Sequence, residues 1–368
     1  MIGMPDIDLT KDRIRAAQIV LPCADINNEL LFFVERLGFR VEMISPADAP
    51  SVAVVSGYGL NLRLETSGEK LPLVLRLGGD FSSLPFVAPR EIVSPDGVRV
   101  QFFDAESLVE IPDGTQEFIV TTASGENAWS AGRAGMLYRD LIPGRLGDRF
   151  VASHISIPEG GEIPDYVHFH KVRFQMIYCI RGWARLVYEN QGEPFLMNAG
   201  DCVLQPPEIR HRVLESSAQF EVLEIGCPAI HATHADHALT LPNDALAFDK
   251  IYGANQRFLH HVAAEAVWQD SQIKNIESRD TEIKRASDGL ADVRLLQATA
   301  EASFPVNHRG EFLFYFILKG GLRLGGKAGE VYRLNANDCF VLPRDTSYLV
   351  EADEGLEMLR VNLPADNF

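Results

Sequence analysis

Apolar and polar positions alternate in short runs along most of the chain, the period of half-buried strands. In the first part these runs are Arg40–Ile44, Ser51–Val55, Leu60–Glu65 and Leu71–Leu77. One segment breaks the rule. Leu30, Leu31, Phe33, Val34 and Leu37 recur at helical spacing, with Asp25 as N-cap and Gly38 as stop. A strand-like run, Ile14 to Leu21, precedes that helix. Ser94-Pro95-Asp96-Gly97, flanked by Arg90–Val93 and Val98–Phe103, reads as a hairpin. Residues 13–105 therefore predict β-α-β-β-β plus further strands, after a tail at 1–12. Residues 106–149 are polar and Gly-rich, and read as a linker that also carries the first strands of the next domain. Residues 150–240 are almost all short strands between Gly, Pro and Asn turns, the spacing of a sandwich or barrel. After the Pro-containing segment Leu241 to Asp244, residues 241–368 are strand-rich again.

The two β regions share phrases. Ile180-Arg181-Gly182 matches Leu318-Lys319-Gly320, and Asn198-Ala199-Gly200-Asp201-Cys202 matches Asn335-Ala336-Asn337-Asp338-Cys339. An internal duplication explains both.

The chemistry gathers in the first copy. The run is Gly161-x6-His168-x-His170-x4-Gln175-x6-Gly182, followed by Gly200-x5-Pro206-x4-His211. Residues i and i+2 of a strand share a face, so His168 and His170 can both aim inward. A hairpin return can bring in His211. Three imidazoles on one inner face suit a first-row divalent metal such as Zn, Fe, Ni or Mn. His-x-His alone is a weak signal, and a chance pair on a polar strand is the bland alternative. The third His, the amide and the spaced glycines make the combination specific.

These residues resemble the two motifs of the cupin superfamily, G-x5-H-x-H-x3,4-E-x6-G and G-x5-P-x-G-x2-H-x3-N. The resemblance implies a small jelly-roll barrel with one metal held by His168, His170, Gln175 and His211. One extra residue separates Gly161 from His168, and Gln175 stands at the usual Glu. Glu208 and Glu215 replace the Gly and Asn of the second motif. A neutral fourth ligand leaves the ion its full charge, which favours Lewis-acid work. Cupins with this ligand set resemble unsaturated-uronate-processing enzymes and zinc polyketide cyclases. The resemblance therefore implies a non-redox isomerase, lyase or cyclase acting on a small oxygenated, anionic molecule. Three-His cupins also include dioxygenases that cleave C–C bonds, and a non-catalytic ligand sensor is a third reading.

Two residues are candidates for catalysis. Arg173 shares strand parity with Gln175, so it either clamps a substrate carboxylate or lies on the rim. Tyr166 either donates a proton or packs at the barrel mouth. His231, His234 and His237 read as a connecting segment. In the second copy, counting from Gly320 and Pro343 puts Val306, His308, Leu313 and Tyr348 at the ligand positions. One good ligand in four makes this barrel degenerate. Phe312, Phe314 and Phe316 read as packing.

The N-terminal region resembles the vicinal oxygen chelate (glyoxalase/bleomycin-resistance) superfamily. Gln18-Ile19-Val20-Leu21, Asp25, Arg36-Leu37-Gly38-Phe39 and the Ser94-Pro95-Asp96-Gly97 turn before Val98-Arg99-Val100-Gln101 carry the likeness. Gln18 and Gln101 stand where that family commonly has metal-binding His and Glu, so a scaffold, oligomerisation or ligand-sensing role is implied. The expected architecture is mainly β: this domain, then two cupin barrels.

A net charge of -17 argues against nucleic acid and anionic membrane surfaces as partners. Five cysteines without a C-x-x-C pair, and no apolar leader, point to a reduced, cytoplasmic setting. No apolar run is long enough for a membrane span. Paired cupin barrels favour a homo-oligomer, with a small molecule as substrate.

Overall fold

The computed structural model describes residues 16–66, 72–79, 91–104, 109–124, 129–132, 135–326 and 329–365. The tail at 1–12 and the start of the run at Ile14 lie outside them. The chain divides into two units, Met1–Leu108 and Val109–Phe368.

In the first unit Asp25 caps the helix Ile26–Leu31, its carboxylate accepting from the backbone N–H of Asn27 and Asn28. The helix continues as a π-turn, Phe32–Arg36. Phe32 and Phe33 pack into a core with Phe39, Leu62 and Leu64. A four-stranded sheet backs it, in the order Ile19–Pro22, Leu60–Glu65, Val52–Gly57, Arg40–Ser45. Its first pair is parallel. Val74–Gly79, Arg99–Asp104 and Glu91–Val93 form a separate sheet of three strands. The hairpin expected around the Ser94 turn is its antiparallel pair.

The second unit holds two barrel-like halves built on one frame. In the first half, Phe174–Arg181, Phe220–Cys227 and Val151–Ile157 are neighbours in one sheet. Trp183–Tyr188, His211–Ser216 and His168–His170 are neighbours in the other. The second half repeats this with Phe312–Lys319, Glu357–Leu363 and Asp292–Ala298, facing Gly321–Gly325 and Tyr348–Ala352. Gly182 and Gly320 make the same turn in each. Their φ angles are +75° and +72°, and a Cβ at Gly182 would lie 2.3 Å from Ser217 Oγ. Only glycine fits both demands.

Strand parity sorts the side chains. Phe174, Met176 and Tyr178 meet Phe312, Phe314 and Phe316 in a shared core between the halves. Phe150 stacks on Phe312, ring centroids 4.2 Å apart. The alternate residues point into each barrel. Leu313, Tyr315 and Ile317 fill the second barrel with Leu322, Leu324 and Phe340. In the first, the same parity delivers Gln175 and Ile177 to a cavity.

The connecting segments cross between the halves. Ile119–Thr121 precedes the first barrel in sequence but pairs with Cys339–Val341 of the second. Leu259–His261 precedes the second barrel but pairs with Cys202–Leu204 of the first. Each half thus lends the other a strand that forms the edge of its sheet. No helix among the described residues is long and apolar enough to cross a membrane. All five cysteines are buried and unbridged, and burial pushes the Cys179 thiol up to about 12.

Candidate metal centre

His168 and His170 lie on one short strand, and His168 stands directly opposite His211 on the next. The imidazole centroids are 4.3 Å apart for His168 and His211, 5.3 Å for His168 and His170, and 5.5 Å for His170 and His211. One ligand atom from each ring lies within 4.8 Å of the others, the only such group among the described residues. His168 and His211 are buried and His170 is half-buried.

Each ring is held by its Nδ1. His168 Nδ1 bonds the Tyr166 carbonyl at 2.8 Å, His170 that of Ala232 at 3.2 Å, and His211 that of Ile209 at 3.0 Å. A carbonyl can only accept, so each Nδ1 carries a proton, and in the neutral ring each Nε2 has the lone pair. One tautomer thus recurs in all three rings, the one in which Nε2 can ligate. Gln205 Nε2 lies 3.1 Å from His211 Nε2, a contact the amide must give up for that nitrogen to ligate. The donor set therefore fits a divalent metal ion.

The supporting groups are specific. Asp165, its side chain fully buried, lies 3.5 Å from His168 Nδ1 and accepts from the Tyr166 and Val213 backbones. Tyr188 stacks on His211 at 5.4 Å, and burial raises its phenol well above the ordinary range. The segment after the barrel also participates. Thr233–Ala235 pairs with His168–His170, and the His231 ring packs at 5.3 Å against His170. What the sequence presents as a connector includes a strand paired with the one that carries His168 and His170.

Gln175 is 2% exposed, and its Nε2 donates to Glu224 Oε1 at 2.6 Å. Both line the same cavity as the three histidines and Gln205. The cavity encloses about 670 Å³, part of it open to solvent. Gln205 and Tyr188 lie against His211. Ile155, Ile157, Leu186, Met197, Phe220 and Val222 make the rest of the wall apolar. Among the described residues no Lys or Arg lines it.

Arg173 differs from its expected place. Its guanidinium lies 2.7 Å from Glu311 of the second barrel and does not line the cavity. The parity argument fails because Arg173 precedes the strand, which starts at Phe174. Arg149 bonds the same Glu311, at 3.0 Å from its Nε. The charge serves the joint between barrels. Tyr166 is 38% exposed, with its ring 5.9 Å from that of His168, and it too lies off the cavity wall. Its backbone carbonyl accepts from His168 Nδ1. Sequence reading missed Glu224, Gln205 and Asp165. Glu224 had a signal: it interrupts the inward-facing, otherwise apolar series Phe220, Val222, Glu224.

The comparisons agree with this geometry. Residues 153–226 match the Cupin domain family. No curated protein matches the chain in sequence. Among solved structures, protein Ylba from E. coli is similar at 12% identity and TM-score 0.51, over 70% of this chain and 94% of that one. Salicylate 1,2-dioxygenase from Pseudaminobacter salicylatoxidans is similar at 14% identity and TM-score 0.51, covering 68% and 85%. An oxalate decarboxylase–formate complex from Lactobacillus farciminis is similar at 14% identity and TM-score 0.50, covering 69% and 88%. The chain therefore has a bicupin-type fold, in which residues 153–226 match the Cupin domain model and a histidine cluster suits a divalent metal.

Proposed function

We propose that the protein is a metal-dependent cupin enzyme that moves a proton on a small organic molecule without using oxygen. An isomerase, lyase or cyclase fits this description. The observation that carries the proposal is the pairing of a neutral donor set with one cavity carboxylate, Glu224, bonded to Gln175 at 2.6 Å. Gln175 completes the set with His168, His170 and His211. An ion bound there would supply Lewis acidity toward a carbonyl or enolate oxygen.

The chain's own residues do the rest. Glu224 Oε2 is the carboxylate oxygen left to take a proton, since Oε1 accepts from Gln175. Phe220, Val222 and Met197 enclose the substrate body and keep water from the enolate. With no Lys or Arg on the wall among the described residues, the ion is the positive charge that a negative substrate would meet there. This favours an apolar body with a chelating oxygen head.

The test is deuterium uptake. Small 1,3-diketones and 2-oxo acids are incubated with the metal-loaded chain in D2O under nitrogen and followed by NMR. Exchange that requires metal and is lost in Glu224→Leu, at a metal concentration shown to saturate that variant, supports the reading. Turnover that stops without oxygen contradicts it. That result would move a second reading, a dioxygenase cleaving a C–C bond, to first place. The apolar wall beside the histidines also suits that chemistry, and one of the similar folds is named as a salicylate dioxygenase.

For the N-terminal unit we infer a scaffold or sensing role related to vicinal oxygen chelate modules. Its strand–helix–three-strand order supports this, as does glutamine at positions 18 and 101.

A further inference from the structure

The bond between Gln175 and Glu224 sets which end of the amide is left to the cavity that the three histidines also line. Gln175 lies on Phe174–Arg181 and Glu224 on the adjacent strand, opposite Ile177. The side chains meet diagonally across the pair, at 2.6 Å. A primary amide has donors on its nitrogen and acceptors on its oxygen. A carboxylate beside it can bind only the nitrogen. The Gln175 oxygen is thereby turned away from Glu224, and oxygen is the one amide atom that ligates a divalent ion.

We propose that Glu224 is a positioning residue that presents Gln175 Oε1 to the ion held by His168, His170 and His211. The site then carries the same single negative charge as a cupin with Glu at position 175. Here that charge stands one residue further from the ion. This inference rests on the three-histidine site and not on any reaction assigned to it.

Restoring the common cupin carboxylate by Gln175→Glu would therefore not improve the site. It would set two carboxylates at hydrogen-bonding distance with no N–H between them, a like-charge contact in a buried place. Exchanging the two groups, Gln175→Glu with Glu224→Gln, keeps one N–H···O bond and one charge.

The experiment uses the full-length chain with Co2+ alone as probe. Affinity is read by chelator competition and coordination by the visible absorption bands. Thermal melting of the metal-free proteins checks that each variant folds. Glu224→Leu should lose about 10–100-fold in affinity, the usual effect of removing a group that orients a ligand. Gln175→Glu should lose as much, and the exchanged pair should return to within about threefold of wild type, as coupled positions do. Unchanged affinity and bands in a folded Glu224→Leu variant would overturn the proposal. So would tighter binding by Gln175→Glu alone. A wild-type chain that binds no Co2+ overturns the metal site itself and this proposal with it.

Discussion

His168 faces His211 across paired strands in the first barrel, and Val306 faces Tyr348 in the same register in the second. Gln175 of the first corresponds to Leu313 of the second, each following the first residue of its strand. The fourth position keeps a histidine, His308. Its Nε2 bonds the Leu342 carbonyl at 2.8 Å, and burial lowers its basicity. Glu224, opposite Ile177, becomes Arg360, opposite Tyr315 and paired with Asp292 at 2.7 Å. One backbone frame therefore supports a polar cavity in one copy and a filled apolar core in the other. The ligands are not needed to hold the frame. The second barrel stands on packing, and the first gives up some packing for a site.

That contrast can be broken from either side. The largest effect is expected in the second barrel. Tyr315→Ala removes a ring that is 1% exposed, and should cost about 3–5 kcal/mol in urea unfolding. It should leave the metal stoichiometry of the first barrel unchanged. A loss of metal with folding intact would show that the halves are not separable in this way.

The joint between the halves comes next. Burial works to raise the Glu311 carboxyl, but the Arg149 hydrogen bond and the Arg173 charge outweigh it and hold it below its ordinary range. A depressed carboxyl stabilises the fold above the unfolded value of 4.5 and loses that contribution as pH falls through the folded value. Glu311→Gln should therefore cost about 1–3 kcal/mol at pH 7. The gap from wild type should shrink in unfolding curves taken below pH 4.5. A gap that widened on acidification would contradict the assignment.

The smallest effect belongs to the cavity wall. Tyr188→Phe keeps the ring against His211 and removes a phenol that burial holds protonated. Stability should change by less than about 1.5 kcal/mol, with metal affinity kept. A large loss of affinity would give the hydroxyl a role at the site that the stacking alone does not.

The same contrast shows what was legible in the sequence. His168, His170 and His211 were readable because their spacing on short strands is local, and the structure brings all three together. The filled second barrel was readable as well. Counting from Gly320 reaches Val306 and Leu313, and both lie in its apolar core. Arg173 was misplaced because parity holds only inside a strand. Glu224 and Gln205 were missed because their positions depend on which strands become neighbours. The crossed edge strands, Ile119–Thr121 and Leu259–His261, were hidden for the same reason, since each pairs with a strand far away in sequence.

The central claim is that the first barrel alone holds one divalent ion. Elemental analysis of the untagged full-length chain beside His168→Ala/His211→Ala tests it most directly. The account predicts one divalent ion per wild-type chain and none in the variant. Equal metal in both proteins, or none in the wild type after exposure to Zn, Mn, Fe and Ni, would contradict it.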